Sequence, residues 1–270
     1  MRDSCTPSST VLAGTVLACI VLAAVLVVGI AAPCTAADAE NGSHDRRREV
    51  HLATLHWPPY VAEGLQDNGY AAAVVREAFA RSGYETRLSF LPWARVVHNT
   101  VRGDYDGYFP EYHARALEAH FAYSLPFPGG PLGFFARRDS NIRWTSLPEL
   151  VGYRIGTVRG YVNTKAFDDA TYLTVEPAVD DLTNLRKLLA GRIDLMVADK
   201  HVGRALAVRH MPERADELVF LDPPLEDKDL YLCIRRDNPR QGELLRAFNQ
   251  ELASMRDDGS LDALRRSHGM

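Results

Sequence analysis

Four stretches carry side chains that could act on a small molecule. His56-Trp57-Pro58-Pro59-Tyr60 runs a strand out into a loop whose prolines fix the backbone, so Trp57 and Tyr60 are either presented to a ligand or folded down as caps on the core. Pro110–Arg115 reads as a polar loop that exposes Glu111 and Arg115. Val158–Thr164, with Gly160 and Tyr161, leaves one strand and enters a helix from Asn163. Free backbone N–H groups at such a turn suit an anion, and a single Gly turn is equally an ordinary strand-to-helix loop. Asp199 ends a strand, where a carboxylate faces a cleft or caps the next helix. This is equipment for holding a solute by charge and stacking. No Ser/His/Asp or Cys/His constellation accompanies it, and Cys233 falls in a strand. The nine histidines show no H-x-x-x-H or Cys/His spacing, so neither a metal nor a cofactor is expected.

The elements that position these groups follow from periodicity. Val50–Leu55 and Thr86–Phe90 alternate as strands, and Gly69–Ser82 places Val74, Val75, Ala78 and Phe79 on one helical face. A second helix opens near Pro92 and Trp93 and stops at Gly103, and Tyr105–Phe109 is the next strand. Helix, Gly103-x-x-Asp106, strand recurs as helix, Gly191-x-x-Asp194, strand to Asp199. Strands alternating with helices argue for mainly parallel sheets covered on both faces. The repeat argues for two similar α/β lobes facing a shared cleft. PFPGGP at Pro126–Pro131 and Asp222-Pro223-Pro224 read as breaks in regular structure where the chain crosses between lobes. Lobe 1 is then 50–127 plus 228–270, and lobe 2 is 132–224. Further strands are expected at Leu132–Arg137, Tyr153–Thr157, Leu218–Leu221 and Leu230–Arg235. Helices are expected at Ser146–Val151, begun by a Ser146 cap, and at Asp181–Leu189, His201–Arg209, Gly242–Met255 and Ser260–Ser267.

The chain has 270 residues, 46% of them hydrophobic, enough for two cores at about 150 residues per domain. A formal charge of −4 with scattered basic residues gives no footprint for nucleic acid, and Arg46-Arg47-Arg48 reads as a solvated juncture. Val11–Ala32 is an almost uninterrupted apolar run followed by small residues around Ala37 and Ala39, which predicts export. Residues 1–37 are a cleaved signal peptide or, since the run is long enough to span a bilayer, an N-terminal anchor; 38–49 is a polar linker. Of four cysteines, only Cys233 lies in the body, so no internal disulfide is available to it.

Trp57–Tyr60 (WPPY), Pro92–Val96 (PWARV), Arg102–Phe109 (RGDYDGYF), Tyr123–Phe127 (YSLPF), Ser146–Tyr161, Leu188–Asp199 (LLAGRIDLMVAD) and the AFNQELASMRDDGSLDAL run near the end resemble, in order and spacing, the bacterial extracellular solute-binding proteins of family 3, which serve polar amino acid ABC importers. The resemblance spans Val50 to Gly269. It implies a two-lobed type 2 periplasmic-binding fold, each lobe a mainly parallel sheet flanked by helices, with a two-strand hinge. It implies a monomer at the periplasmic or extracytoplasmic face, with a small polar or zwitterionic ligand and importer membrane subunits as partners. It further implies Arg115 as the clamp on a ligand carboxylate, although the loop departs from the family's Thr-x-x-x-Arg pattern, and Asp199 as partner of a ligand ammonium. Gly160 and Tyr161 fall at a backbone site, and Trp57, Tyr60 and Trp93 at aromatic walls. Glu111 joins this set. Arg115 as a surface ion pair and Asp199 as a helix cap stay open. Two other functions stay open as well: a dehydratase-like enzyme using Glu111 or Glu226 as general acid, and a sensory ectodomain.

Overall fold

The computed structural model describes residues 48–270. The leader and nearly all of the expected linker lie outside them. Glu49, assigned to the linker, already belongs to the first strand. Among the described residues no helix is long and apolar enough to cross a membrane.

Among the described residues, ten strands and seven α-helices follow one another in mixed order. The strands are β1 (Glu49–Thr54), β2 (Glu85–Phe90), β3 (Gly107–Glu111), β4 (Phe121–Tyr123), β5 (Phe127–Arg137), β6 (Arg154–Val158), β7 (Thr174–Ala178), β8 (Leu195–Asp199), β9 (Leu218–Phe220) and β10 (Glu226–Arg235). The helices are α1 (Tyr70–Arg81), α2 (Trp93–Arg102), α3 (Lys165–Asp168), α4 (Asp181–Leu189), α5 (Lys200–His210), α6 (Gln241–Asp257) and α7 (Ser260–Ser267).

The sheet runs β2-β1-β3-β10-β5-β8-β6-β7, with β4 on β10 and β9 on β5. It divides into two parallel trios, β2-β1-β3 and β8-β6-β7, linked by the antiparallel strands β10 and β5. Val74, Val75, Ala78 and Phe79 of α1 are fully buried as the periodicity requires. α6 closes over α1, with the rings of Phe79 and Phe248 5.5 Å apart. On the second trio, Leu185 and Leu188 of α4 and Val202 of α5 fill the equivalent layer.

The repeated Gly-x-x-Asp unit has one structural meaning in both halves. Gly103 (φ 97°) and Gly191 (φ 69°) take the left-handed backbone that ends a helix. The aspartate then locks the adjoining strand. Asp106 exchanges bonds with His51, accepting its N–H at 2.9 Å and donating its own N–H to its carbonyl at 2.9 Å. Asp194 does the same with Arg154, at 2.8 Å and 2.9 Å.

Several expectations need correction. The Pro/Gly run after Pro126 does not interrupt the sheet: it forms the first half of β5. Pro128 and Pro131 stand opposite Asp229 and Asp227 of β10, where β5 has β10 alone beside it, since pairing to β8 starts only at Leu132. Proline is tolerated on a strand with one open side. β3 starts two residues later than expected and continues through Pro110 to Glu111, past the end of its pairing with β1 and beside a register shift in β10. Glu111 is therefore buried, not exposed on a loop. Ser146 makes no cap bond to a backbone N–H. Instead Glu149 accepts from Thr145 N–H at 3.0 Å and from the Ser146 hydroxyl at 2.9 Å. β4 and β7 were not expected: β4 is only three residues long, and β7 lies at the end of the sheet order with largely exposed residues.

Candidate functional site

The two strand groups meet where β3 and β8 end. Rigid Pro58-Pro59 turns the chain after β1 so that Trp57 and Tyr60 stack on each other, centroids 4.8 Å apart. Tyr112 stands edge-on to Trp57 at 5.8 Å. Trp93, the first residue of α2, reaches across to donate its indole N–H to the Gly160 carbonyl at 2.9 Å, and its ring meets Tyr161 edge-on at 5.5 Å. Trp57, Trp93, Glu111, Tyr112 and Tyr161, with Leu230 behind them, line a cavity in which the centre of a water-sized sphere has about 30 Å³, room for one or two waters. A larger solute needs this space to widen.

Asp199 is the chief of those contacts. One carboxylate oxygen accepts the N–H groups of His201 and Val202 at 2.8 and 3.2 Å, capping α5. The other accepts the hydroxyls of Tyr60 at 3.0 Å and Tyr112 at 3.3 Å, both from the first strand group. A residue open between two roles thus has helix and tyrosine partners together. Gly130 of β5 lies directly under this junction. A Cβ there would come within 2.5 Å of the Tyr60 hydroxyl and 3.1 Å of the Asp199 carboxylate, so only glycine lets the bond pass over the strand.

Three buried acids surround the cavity. Glu111 accepts the Tyr108 hydroxyl and the Tyr112 N–H, each at 2.9 Å. Burial outweighs both bonds and pushes its pKa up to about 8. Asp181, at the start of α4, accepts the Tyr161 hydroxyl at 3.1 Å; burial raises it to about 7. The indole N–H of Trp57 faces Asp181 without reaching hydrogen-bond geometry. Asp199 is raised by burial to about 6 against its four hydrogen bonds. In all three, burial is the largest cause of the shift.

Of the residues singled out in the sequence, Trp57, Trp93, Glu111 and Tyr161 line the cavity; Tyr60 and Asp199 do not, but bond to each other beside the lining Tyr112, and Gly160 contributes its carbonyl to Trp93. The Tyr161 N–H donates to Val158 within its own turn at 3.1 Å, so the ring is what this residue offers the cavity. α3 is only four residues long and is capped by the Thr164 hydroxyl. Arg115 is exposed and opens a 3₁₀ turn, Arg115–Ala119; it is not brought to the cavity. Glu226 is exposed and paired with Lys228 at 3.1 Å. Tyr112 and Asp181 escaped sequence reasoning. Tyr112 sat in the supposed loop beside Glu111, and Asp181 looked like one more acid in the first turn of a helix.

A family model for bacterial extracellular solute-binding proteins, family 3, matches residues 51–269. Among solved structures, a histidine kinase sensor domain with similarity to periplasmic binding proteins is similar at TM-score 0.71 and 20% identity, covering 82% of this chain and 97% of that one. The amino acid ABC transporter substrate-binding protein AbpA from Streptococcus pneumoniae, bound to L-arginine, is similar at TM-score 0.70 and 16% identity, covering 84% and 97%. Holo ArgBP from T. maritima is similar at TM-score 0.68 and 18% identity, covering 80% and 93%. No curated protein matches. The mixed α/β architecture with its curled sheet is the type 2 periplasmic-binding fold expected from the sequence.

Proposed function

The chain belongs to the bacterial extracellular solute-binding proteins, family 3, and from that premise we propose that it captures a small polar solute between two lobes and delivers it to the membrane subunits of an ABC importer. The lobes in this reading are 50–127 plus 228–270 and 132–224, with β5 and β10 as the hinge. The protein works as a monomer on the extracytoplasmic side, sent there by its N-terminal segment. The observation that carries the reading is the cavity itself. Its aromatic walls and buried acid come from both strand groups, and every contact that closes it, Tyr60 and Tyr112 to Asp199 and Trp93 to Gly160, joins one group to the other. A solute that adds contacts to both sides favours the closed arrangement over the open one.

Catalysis is the weaker reading. Glu111 is buried and protonated near neutral pH like a general acid, but no nucleophile or second base lines the cavity with it. The test is a thermal-shift screen of the purified chain against amino acids, amines, sugars and organic acids. A bound solute at a hundred times its Kd raises stability by about 2.7 kcal/mol. A screen in which no solute moves the midpoint, or in which one is chemically turned over, counts against a binding protein.

A further inference from the structure

We propose that the solute is a small organic cation with N–H donors and no carboxylate, an amine or guanidinium compound, with Glu111 as its counter-charge and the rings of Trp57, Trp93, Tyr112 and Tyr161 around its body. The inference rests on the solute-binding reading and names the ligand class of that same site.

The lining residues include one carboxylate, Glu111, and no basic side chain. Asp199 and Asp181 stand directly behind Tyr112 and Tyr161, each accepting a ring hydroxyl. A ligand carboxylate in this space would meet only like charge, and an unpaired charge removed from water is strongly disfavoured. Basic residues close to the lining in the chain or in space do not line the cavity: Arg95, beside Trp93, and Arg159, beside Tyr161, are exposed, and Arg265, whose charge reaches Tyr60 and His201, is not among the lining residues. Lys228 lies 5.5 Å from the centre of the Tyr112 ring and is paired with Glu226 at 3.1 Å. His201 packs against Tyr60 at 6.3 Å and burial lowers its pKa, favouring the uncharged ring. Arg115 is out on the surface. Aromatic faces add attraction for a cation, and the carboxylate oxygens are acceptors that an N–H donor satisfies and a quaternary ammonium cannot.

The titratable groups around Glu111 include Tyr108, Tyr112, Tyr123, Tyr161 and Cys233, none of them cationic, and Lys228 beyond the Tyr112 ring is already paired. Glu111 therefore holds a proton near neutral pH that an incoming cation displaces.

The experiment pairs probes that differ in the carboxylate: agmatine with L-arginine, glycinamide with glycine, with choline, L-glutamate and a neutral sugar panel alongside, read by calorimetry in buffers of different ionisation heat. Agmatine or glycinamide should bind roughly tenfold or more tightly than its carboxylate partner, and should release a proton on binding. Glu111→Gln should weaken that binding by roughly tenfold or more, while its unliganded thermal midpoint near neutral pH stays at or above the parent's. L-Arginine or glycine binding as tightly as its partner overturns the proposal, as does undiminished cation binding by Glu111→Gln. Choline equal to agmatine overturns the requirement for N–H donors. A sugar or L-glutamate binding while no cation does overturns the cation and leaves a solute-binding protein; no binder in any panel removes both.

Discussion

β3 and β8 start alike, each behind an aspartate that locks the neighbouring strand through a reciprocal pair of bonds, Asp106 with His51 and Asp194 with Arg154. Their far ends differ. β8 ends on Asp199, whose partners are a helix terminus on its own side and two tyrosines from the other. β3 ends on Glu111, whose carboxylate accepts from residues one and three positions away. The acid at the start of each strand is scaffold. At the finish, one acid fastens the halves together, and the other lines the cavity.

Removing the fastening acid should have the largest effect on stability. Asp199→Ala deletes the α5 cap, about 1 kcal/mol, and strands two buried tyrosine hydroxyls, at about 1 kcal/mol or more each. Relief of carboxylate burial offsets part of this, leaving an expected loss of about 1–3 kcal/mol, measured by denaturant unfolding. A loss no greater than that of Asp194→Ala would erase the distinction between the two ends of β8. Gly130→Ala attacks the same junction sterically. It should cost about 1–3 kcal/mol and expand the molecule in small-angle scattering as Tyr60 leaves Asp199; an unchanged scattering profile would show that the junction does not set the closed shape.

The two ends should also separate by pH. Glu111 rises from an ordinary 4.5 to about 8, so the folded state binds its proton more tightly than the unfolded chain does. Its contribution is fully present below about 4.5 and is lost as pH climbs through about 8. Asp194 is held below its ordinary value of 3.8, chiefly by its hydrogen bonds to Arg154. Its contribution is present above that value and is lost as pH falls through the lowered one. Stability should therefore decline on the alkaline side from about 5 to about 8, and Glu111→Gln should make that limb shallower, with Asp181 and Asp199 carrying the rest, and leave the acid limb alone. Parallel profiles for parent and variant would mean that Glu111 does not carry this titration.

Arg115→Ala should have the smallest effect, with no measurable change in thermal midpoint and an unchanged affinity for any cationic solute. Loss of binding in that variant would bring this exposed side chain back to the site.

Most of the scaffold was legible because its signals are local. Gly103 and Gly191 stop helices by backbone conformation, and the buried face of α1 is written in its spacing. The site was legible in part. WPPY and PWARV announce rigid aromatic presentation, and Trp57 and Trp93 are found on the cavity wall. Prolines hid what remained. Pro110 made β3 look finished before Glu111, and Pro128 and Pro131 made β5 look like a loop, because proline's missing donor matters only where a neighbouring strand needs it. Asp181 could not be found from sequence, since what distinguishes it from Asp180 is a tyrosine hydroxyl twenty positions away in the chain.

The pairing of β5 with β10 also orders events during synthesis. β3 finds its antiparallel neighbour only in β10, near the far end of the chain, with Gly107 opposite Ile234. The segment between re-enters beside its own point of departure, Leu132 opposite Glu226. The strands β5 to β9 can gather as soon as they emerge, while the first trio waits with one edge uncovered until β10 arrives. The last strand made is thus the one that joins the first trio to the rest of the sheet.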